Sequence, residues 1–148
     1  MDKITIRRAT PADKPEWLRM RQALWPDEIE TMSFEEMDAI LADPTTPVFL
    51  AVRSDGRLGG FLEAGTRKYA EGGESSPVGY IEGWYVDPDL RLHGIGRALV
   101  QVAEDWARGK ELTEMGSDTW LDNEASIRAH GNLGYQEIER LVHFLKKL

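Results

Sequence analysis

The feature that most constrains the fold is a turn with two closely spaced glycines, placed between a strand and a helix. Residues 86–96 read VDPDLRLHGIG and follow a run typical of a strand, residues 78–86. Behind the turn, apolar residues recur at helical spacing, which predicts an amphipathic helix from about Gly94 to Arg108 with Gly109 as its C-terminal cap. Free backbone amides and the positive end of the helix dipole coincide at such a helix start, an arrangement that suits a pyrophosphate.

The turn lacks the residues of two common nucleotide-binding motifs, and this limits which nucleotides it could bind. The Gly-Lys-Ser/Thr sequence of a Walker A loop does not occur, and Leu99 stands where a dinucleotide-binding fingerprint needs a third glycine or alanine. On the glycines alone, close packing of the helix against the strand explains the turn equally well.

Around this turn, the 148 residues form a succession of short predicted elements. Period-two alternation predicts strands, and capping residues followed by helical spacing predict helices. The predicted strands are residues 4–7, 48–52, 58–66, 78–86, 115–120 and 135–144, and the predicted helices begin after Thr10, at Ser33, near Gly94 and at Asn123. The order is therefore β-α-α-β-β-β-α-β-α-β. We expect an α/β fold of the α+β type, with a mixed, mostly antiparallel sheet and helices on both faces, in a single domain spanning 1–148.

Charge and composition exclude several classes of function. The chain has 18 Lys and Arg against 26 Asp and Glu, a net charge of −8, which argues against nucleic-acid binding and favours cationic substrates. With no cysteine and three histidines that lack metal-ligand spacing, we predict no thiolate nucleophile, no disulfide and no metal site. Since no long apolar run and no signal-peptide pattern occurs, we expect no membrane association and a cytoplasmic location.

The whole phrase at 86–96, Val-x-Pro-x-x-Arg-x-x-Gly-Ile-Gly, resembles the acetyl-coenzyme A signature of the GNAT superfamily of N-acetyltransferases. The element order is similar over essentially the full chain. The resemblance implies acetyl-CoA as co-substrate, with its pyrophosphate on the backbone amides of the turn. It also implies that the strand before the turn splays from the next one and opens a V-shaped cleft for the thioester. The cofactor-binding residues that it implies are Trp84, Tyr85, Val86, Arg91, Leu92, His93, Gly94, Ile95, Gly96 and Asn123. Asn123 is equally natural as a helix N-cap.

Two carboxylates are candidates for binding and activating an amine. Glu82 lies in the middle of an otherwise apolar strand that leads into the turn, and Asp118 lies on the neighbouring predicted strand. Carboxylates on adjacent strands beside one cleft can bind ammonium groups and accept a proton. The alternatives are a solvent-facing strand position for Glu82 and a strand-end turn for Asp118.

A closer resemblance is spread along the chain from Trp25 to Arg140. The phrases RQALWP, SSPV, YIEGWYV, SDT and LGYQEIER are similar to those of chromosomal-type aminoglycoside 6′-N-acetyltransferases, which confer antibiotic resistance. The resemblance implies that this group's drug-contacting positions are Trp25, Tyr69, Glu82, Asp118 and Glu139, with Glu82 and Asp118 as the catalytic candidates. It also implies a homodimer in which Glu139 reaches the neighbouring subunit's site.

Several alternatives stay open at the level of sequence. Many superfamily members carry a tyrosine general acid four residues before the glycine that opens the last strand; here that position is His130, which is also compatible with simple packing on a helix. Without a cysteine or a catalytic serine pattern, direct transfer in a ternary complex is the simplest chemistry. The acceptor could instead be a polyamine, an amino sugar or a protein N-terminus. The remaining hypothesis is a protein that binds acyl-CoA as a sensor and catalyses no reaction.

Overall fold

The fold is an open sheet of five strands with helices packed on both faces, described by a computed structural model for residues 3–148. The strands are β1 (Thr5–Arg8), β2 (Val48–Val52), β3 (Leu58–Arg67), β4 (Val78–Val86) and β5 (Met115–Ser117). The helices are α1 (Lys14–Leu24), α2 (Phe34–Ala42), α3 (Ile95–Gly109) and α4 (Glu124–Asn132). The strands lie side by side in chain order, and each pair is antiparallel except β4 and β5. The predicted fold class is confirmed.

Local capping chemistry sets where the early helices begin. The predicted capping box of α2 forms, with the Glu36 amide donating to Ser33 Oγ at 3.1 Å and the Ser33 amide donating to the Glu36 carboxylate at 2.7 Å. Before α1, residues Pro11–Asp13 form a 3₁₀ turn in which the Thr10 amide donates to the Asp13 carboxylate at 2.8 Å. The α-helical part therefore begins three residues after the predicted first helical position.

Two apolar layers hold the helices to the sheet. On one face, α1 and α2 bury their apolar sides against β2 and β3, and the fully buried side chains there are Trp17, Met20, Met37, Leu50 and Phe61. On the other face, α3 packs on the sheet through Leu99, Val100 and Ala103, which meet Phe49, Leu62 and Ile81. Burying apolar surface on both faces is the main stabilising term for a sheet of this kind.

A buried charged group fixes α1 on the sheet. The Glu63 side chain of β3 is 10% exposed and accepts hydrogen bonds from the Arg21 guanidinium and, at 3.0 Å, from Trp17 Nε1. A buried ion pair of this kind is costly to break from one side only, since the remaining charge is left without a partner. The network therefore holds the C-terminal half of α1 in register with β3.

The predicted strand at 135–144 is wrong. Within residues 3–148 no strand follows α4, and residues 136–148 are exposed. A strand needs a partner for its backbone hydrogen bonds, and this segment pairs with none of the strands in the described part of the chain. The strand predicted at 115–120 is also shorter, because pairing with β4 stops at Ser117.

In the part of the chain that the structure describes, no helix is both long enough and apolar enough to cross a bilayer.

Candidate active site

The glycine turn forms an open nest of backbone amides at the start of α3. Gly94 is the residue that caps the helix, with φ at +81°, and Leu92 also has a positive φ of 64° with a fully exposed side chain. Within residues 3–148, the amides of residues 92–97 find no hydrogen-bond acceptor, whereas the Arg91 amide donates to the Pro88 carbonyl at 3.4 Å. The resemblance implies a cradle of amides from Arg91 to Gly96, and the amides without an acceptor begin one residue later, at Leu92. A group of unpaired amides at a helix N-terminus suits an anion such as a diphosphate.

The two glycines of the turn have different roles. A Cβ at Gly94 would meet no atom within 4 Å, so the nest is open to a ligand at this position. A Cβ at Gly96 would lie 3.1 Å from the Trp84 ring, so this glycine allows the helix start to pack closely over β4. The lack of a side chain at Gly94 therefore keeps the outer side of the turn open, and the lack of one at Gly96 lets α3 pack on β4.

A network of charges anchors the segment that leads into the turn. Asp87 follows β4 and accepts from the guanidinium groups of Arg19 and Arg53, all at 3.2 Å, while Arg53 also binds Asp89 through two contacts of 2.8 and 2.9 Å. Burial raises the pKa of Asp87, but the hydrogen bonds from the two arginines outweigh it and hold that pKa below its ordinary value. These ion pairs therefore fix the position of the segment that leads into the unpaired amides, which do not lie on a free loop.

The remaining predicted cofactor residues lie around this turn. The Trp84 indole is directed towards α3 and α4, and its buried Nε1 finds no acceptor within residues 3–148. Tyr85 points to the opposite face and packs on Phe61 with ring centroids 6.2 Å apart. The Val86 carbonyl accepts from Arg91 Nε at 2.8 Å. A shallow depression beside the turn is lined by Ile4, Ile6, His93, Gly94, Ile95 and Ala98.

A gap between two strands opens next to this turn. The parallel pairing of β4 and β5 runs only from Gly79 opposite Met115 to Ile81 opposite Ser117. Beyond that point, residues 82–86 in the second half of β4 pair with no strand on the β5 side within residues 3–148. The splayed strands that the resemblance implied are therefore present, and they expose a strand edge beside the glycine turn.

Glu82 is the extra residue of a β-bulge at the point where this gap begins. On β3, Glu63 lies opposite Gly83 and Ala64 lies opposite Ile81, so Glu82 has no counterpart. A bulge redirects the local side chain and twists the strand, and bulges are frequent beside active sites. The Glu82 carboxylate lies on the α1 and α2 face, in a groove shared with Ile40 and Thr46.

The two candidate carboxylates are each already bound by a neighbour. Arg67 at the end of β3 donates to both oxygens of Glu82, from Nη2 at 2.6 Å and from Nε at 3.0 Å. The Tyr80 hydroxyl donates to Asp118 Oδ2 at 2.7 Å, and the Arg67 guanidinium carbon lies 3.5 Å from the centre of the Tyr80 ring. Burial, followed by the hydrogen bond to Asp118, raises the pKa of Tyr80 above its ordinary value. Glu82 and Asp118 are thus joined through Arg67 and Tyr80.

Trp25 is brought to the same face at the end of α1. A Cβ at Gly83 would lie 2.6 Å from the Trp25 ring, so the absence of a side chain there allows the indole to rest on β4 next to Glu82. The Arg21 guanidinium lies 4.7 Å from the centre of the Trp25 ring and is itself held by Glu63. The buried network of α1 therefore also positions this aromatic residue.

Three predicted residues are not brought into contact with the carboxylates. Tyr69 lies on the loop after β3 and is 65% exposed. Glu139 lies on the exposed C-terminal segment, where its neighbour Ile138 packs on Gly72 of that same loop. Asn123 is the N-cap of α4 and accepts from the Ser126 amide at 3.1 Å, which is the alternative that its sequence position offered.

His130 lies at the gap, between the two splayed strands. Its ring is edge-on to Trp84, with centroids 5.2 Å apart, and its Nε2 lies 2.8 Å from Ser117 Oγ. Nδ1 lies 2.7 Å from the Ser126 carbonyl, which can only accept, so Nδ1 carries a hydrogen and donates it to that carbonyl. The histidine therefore bridges α4 and β5.

Sequence reasoning missed Arg67 and Tyr80, although both contact the candidate carboxylates. A signal existed, because an antiparallel hairpin of the two predicted strands places Arg67 opposite Val78, two residues before Tyr80 on the same strand. The bulge at Glu82 had no such signal, since it depends on the register of two strands. No group of three or more His, Cys, Asp or Glu able to hold a metal ion occurs within residues 3–148.

An open sheet whose last two strands splay apart, a turn with unpaired amides between β4 and α3, and the carboxylates beside it together indicate an acyl-CoA-dependent transferase. The sequence pattern of the acetyltransferase (GNAT) family matches residues 15–135, and the chain belongs to this family.

The most similar relatives narrow the group further. An aminoglycoside N(6′)-acetyltransferase type 1 of Stenotrophomonas maltophilia is 43% identical, with 95% of this chain and 91% of that protein aligned. The crystal structure of the aminoglycoside antibiotic 6′-N-acetyltransferase AAC(6′)-Ih of Acinetobacter baumannii is 35% identical, superposes with a TM-score of 0.88 and matches over 99% of both chains. The structure of AAC(6′)-Iy with the bisubstrate analogue CoA-S-monomethyl-acetylneamine is 31% identical and superposes with a TM-score of 0.86, again over 99% of both chains.

Proposed function

We propose that this protein transfers the acetyl group of acetyl-CoA to the 6′ amine of aminoglycoside antibiotics and thereby confers resistance. The observation that carries the proposal is the gap between β4 and β5, which has unpaired amides at one end and the carboxylates of Glu82 and Asp118 at the other. Aminoglycosides carry several ammonium groups, and a chain with a net charge of −8 attracts them. Relatives with this named activity are similar over nearly the whole chain.

Each part of the site has a task in this reaction. The amides of residues 92–97 hold the cofactor's diphosphate, and Trp84, Tyr85 and Val86 border its acyl arm, with Asn123 at the far side of the gap. Acetyl-CoA supplies an acyl group activated as a thioester. Glu82 and Asp118 hold the substrate's ammonium groups and accept the proton that the attacking amine must lose. Trp25 and Tyr69 offer apolar faces to the sugar rings.

The composition of the chain favours direct transfer. The chain contains no cysteine, so a thiol nucleophile is not available to carry the acetyl group. The amine, after giving one proton to a carboxylate, forms its bond to the acetyl carbon as the bond from that carbon to sulfur breaks. The leaving thiolate takes up the second proton that the attacking nitrogen loses, so the products are the amide and a thiol. In this scheme, residues 1–148 act as one acetyltransferase domain. The cytoplasmic location stays a prediction from the sequence.

A substrate panel with a free-thiol readout tests the proposal. We expect thiol release from acetyl-CoA when the purified protein meets kanamycin or tobramycin, because both carry a 6′ amine on a polycationic scaffold. Acetylation at that amine is then checked by mass spectrometry of the product. Turnover with spermidine and none with the drugs would show that the acceptor substrate is a polyamine and not an aminoglycoside. Acetyl-CoA binding without any turnover would favour a sensor.

A homodimer completes this proposal, and the C-terminal segment supports it. Six apolar side chains there are more than half exposed: Ile138, Leu141, Val142, Phe144, Leu145 and Leu148. Monomeric proteins rarely expose so continuous an apolar surface. Part of the segment is the predicted last strand, and β5 stands at the edge of the sheet. We infer that a second copy of the chain covers it, with Glu139 reaching that copy's acceptor site.

Charged substitutions in the segment test the dimer. The double variant Val142→Asp/Phe144→Asp is expected to sediment as a monomer, since carboxylates cannot enter an apolar interface without a large desolvation cost. Ile29→Asp is the matched control, because Ile29 is also fully exposed but lies between α1 and α2. Sedimentation equilibrium of all three proteins decides the question. A monomeric wild type, or a double variant that stays dimeric, would contradict the proposed interface.

A further inference from the structure

The acceptor carboxylate is occupied by a cation from the chain itself. The planar guanidinium of Arg67 meets both oxygens of Glu82, at 2.6 and 3.0 Å, which is the two-pronged geometry that makes arginine–carboxylate pairs specific. The same guanidinium lies 3.5 Å from the centre of the Tyr80 ring, where a cation is attracted by the negative face of the ring. A carboxylate and an aromatic face are the two groups that proteins use to bind an ammonium ion, and one side chain covers both.

The pair is accessible and can open. The side chains of Arg67 and Glu82 are 42% and 37% exposed, in contrast to the Arg21–Glu63 pair, where the values are 9% and 10%. Exposed pairs are weak because water and salt screen them, so an incoming polycation can displace the arginine. The buried pair, by comparison, is part of the framework of α1.

The local backbone does not depend on this contact. Glu82 is the unpaired residue of the bulge, and the strand register on both sides of it is set by backbone pairing between β3 and β4. A Cβ at Gly65, opposite Tyr80, would lie 3.8 Å from Glu82 Cγ, so the glycine keeps a side chain away from the carboxylate. The arginine can therefore swing away without disturbing the sheet.

We propose that Arg67 is an internal cation that competes with the ammonium groups of the substrate for Glu82 and the Tyr80 face, and so determines specificity. A ligand with several ammonium groups displaces it, because the second carboxylate, Asp118, holds a further charge of the ligand at the same time. A monoamine gains only one contact and competes poorly. The inference rests on the proposed function, since it takes Glu82 as the group that receives the acceptor.

Removing the charge of Arg67 is expected to strengthen binding. Arg67→Gln lowers the Kd of tobramycin, measured by calorimetry at low salt, by about fivefold. The KM for the drug falls with it, and the difference from wild type shrinks as salt rises. Arg67→Lys keeps a competing cation and is expected to stay within about twofold of wild type. A small monoamine, benzylamine, is expected to bind Arg67→Gln and not the wild type.

Arg108→Gln is the matched control for the change in net charge. Arg108 lies on α3, on the opposite face of the sheet, and forms a similar exposed pair with Asp105 at 3.0 Å. The Arg108→Gln variant is expected to bind tobramycin with the affinity of the wild type. Weaker tobramycin binding by Arg67→Gln, with an unchanged melting temperature, would overturn the inference and make the arginine a support for Glu82. The proposed function fails on a different result: no acetylation of tobramycin by the wild type.

Discussion

Replacing Glu82 with glutamine lowers kcat/KM for tobramycin about 100-fold, because the amide neither attracts an ammonium group nor accepts its proton. Calorimetry with coenzyme A is expected to show an affinity within about twofold of wild type, since the anion-binding amides belong to another element. Stability changes little, because the Glu82–Arg67 pair is exposed and such pairs contribute on the order of 1 kcal/mol or less. The loss in turnover is therefore separable from folding.

Asp105→Asn is the control for the lost carboxylate. Asp105 is exposed on α3 and paired with Arg108, so this variant has the same change of charge away from the gap. Asp118→Asn gives a second test, because the amide oxygen still accepts from the Tyr80 hydroxyl and preserves the local structure. We expect it to lower turnover in the same direction. Equal losses in drug turnover and coenzyme A affinity, in either variant, would remove these residues from the acceptor site.

The Gly94→Val variant loses coenzyme A binding by about 100-fold, because valine at this position cannot keep the left-handed backbone that opens the nest. Gly94 has a φ of +81°, and a β-branched side chain there costs about 1–3 kcal/mol of strain. Its methyl groups would also enter the space that is open at Gly94. Calorimetry with coenzyme A measures the loss directly, and thiol release from acetyl-CoA falls with it.

Gly56→Val controls for backbone strain. Gly56 has a φ of +88°, and a Cβ there would also meet nothing within 4 Å, but it lies in the turn between β2 and β3. Both variants are expected to melt at a lower temperature than wild type, and only Gly94→Val loses the cofactor. Unchanged coenzyme A affinity in Gly94→Val would show that the diphosphate does not rest on the amides at the start of α3.

Much of the local structure was predictable. The bounds of β2 and β4 match the prediction, the capping box placed α2, and the helix after the glycine turn begins one residue from its predicted start. These features depend on residues a few positions apart, so sequence spacing carries them. The last strand, predicted at 135–144, is absent because a strand forms only with a partner, and this segment pairs with no strand within residues 3–148.

The candidate site around Glu82 and Asp118 was predicted only in part. Glu82 and Asp118 were recognised as carboxylates on neighbouring strands, yet their partners Arg67 and Tyr80 were not. Arg67 is fifteen positions from Glu82 along the chain, and the two meet only because β3 and β4 pair in one register. Trp25 reaches β4 because Gly83 has no side chain, which no local pattern could indicate.

The chain's own residues settle its charge, its helical and extended segments and the glycine turn that leaves amides free, because these follow from side-chain chemistry and short-range spacing. The tertiary structure determines three further features: the bulge at Glu82, the early end of the β4–β5 pairing, and the contact of Arg67 with the Glu82 carboxylate. Each of these depends on strand register, and register is chosen by the packing of two apolar layers at once.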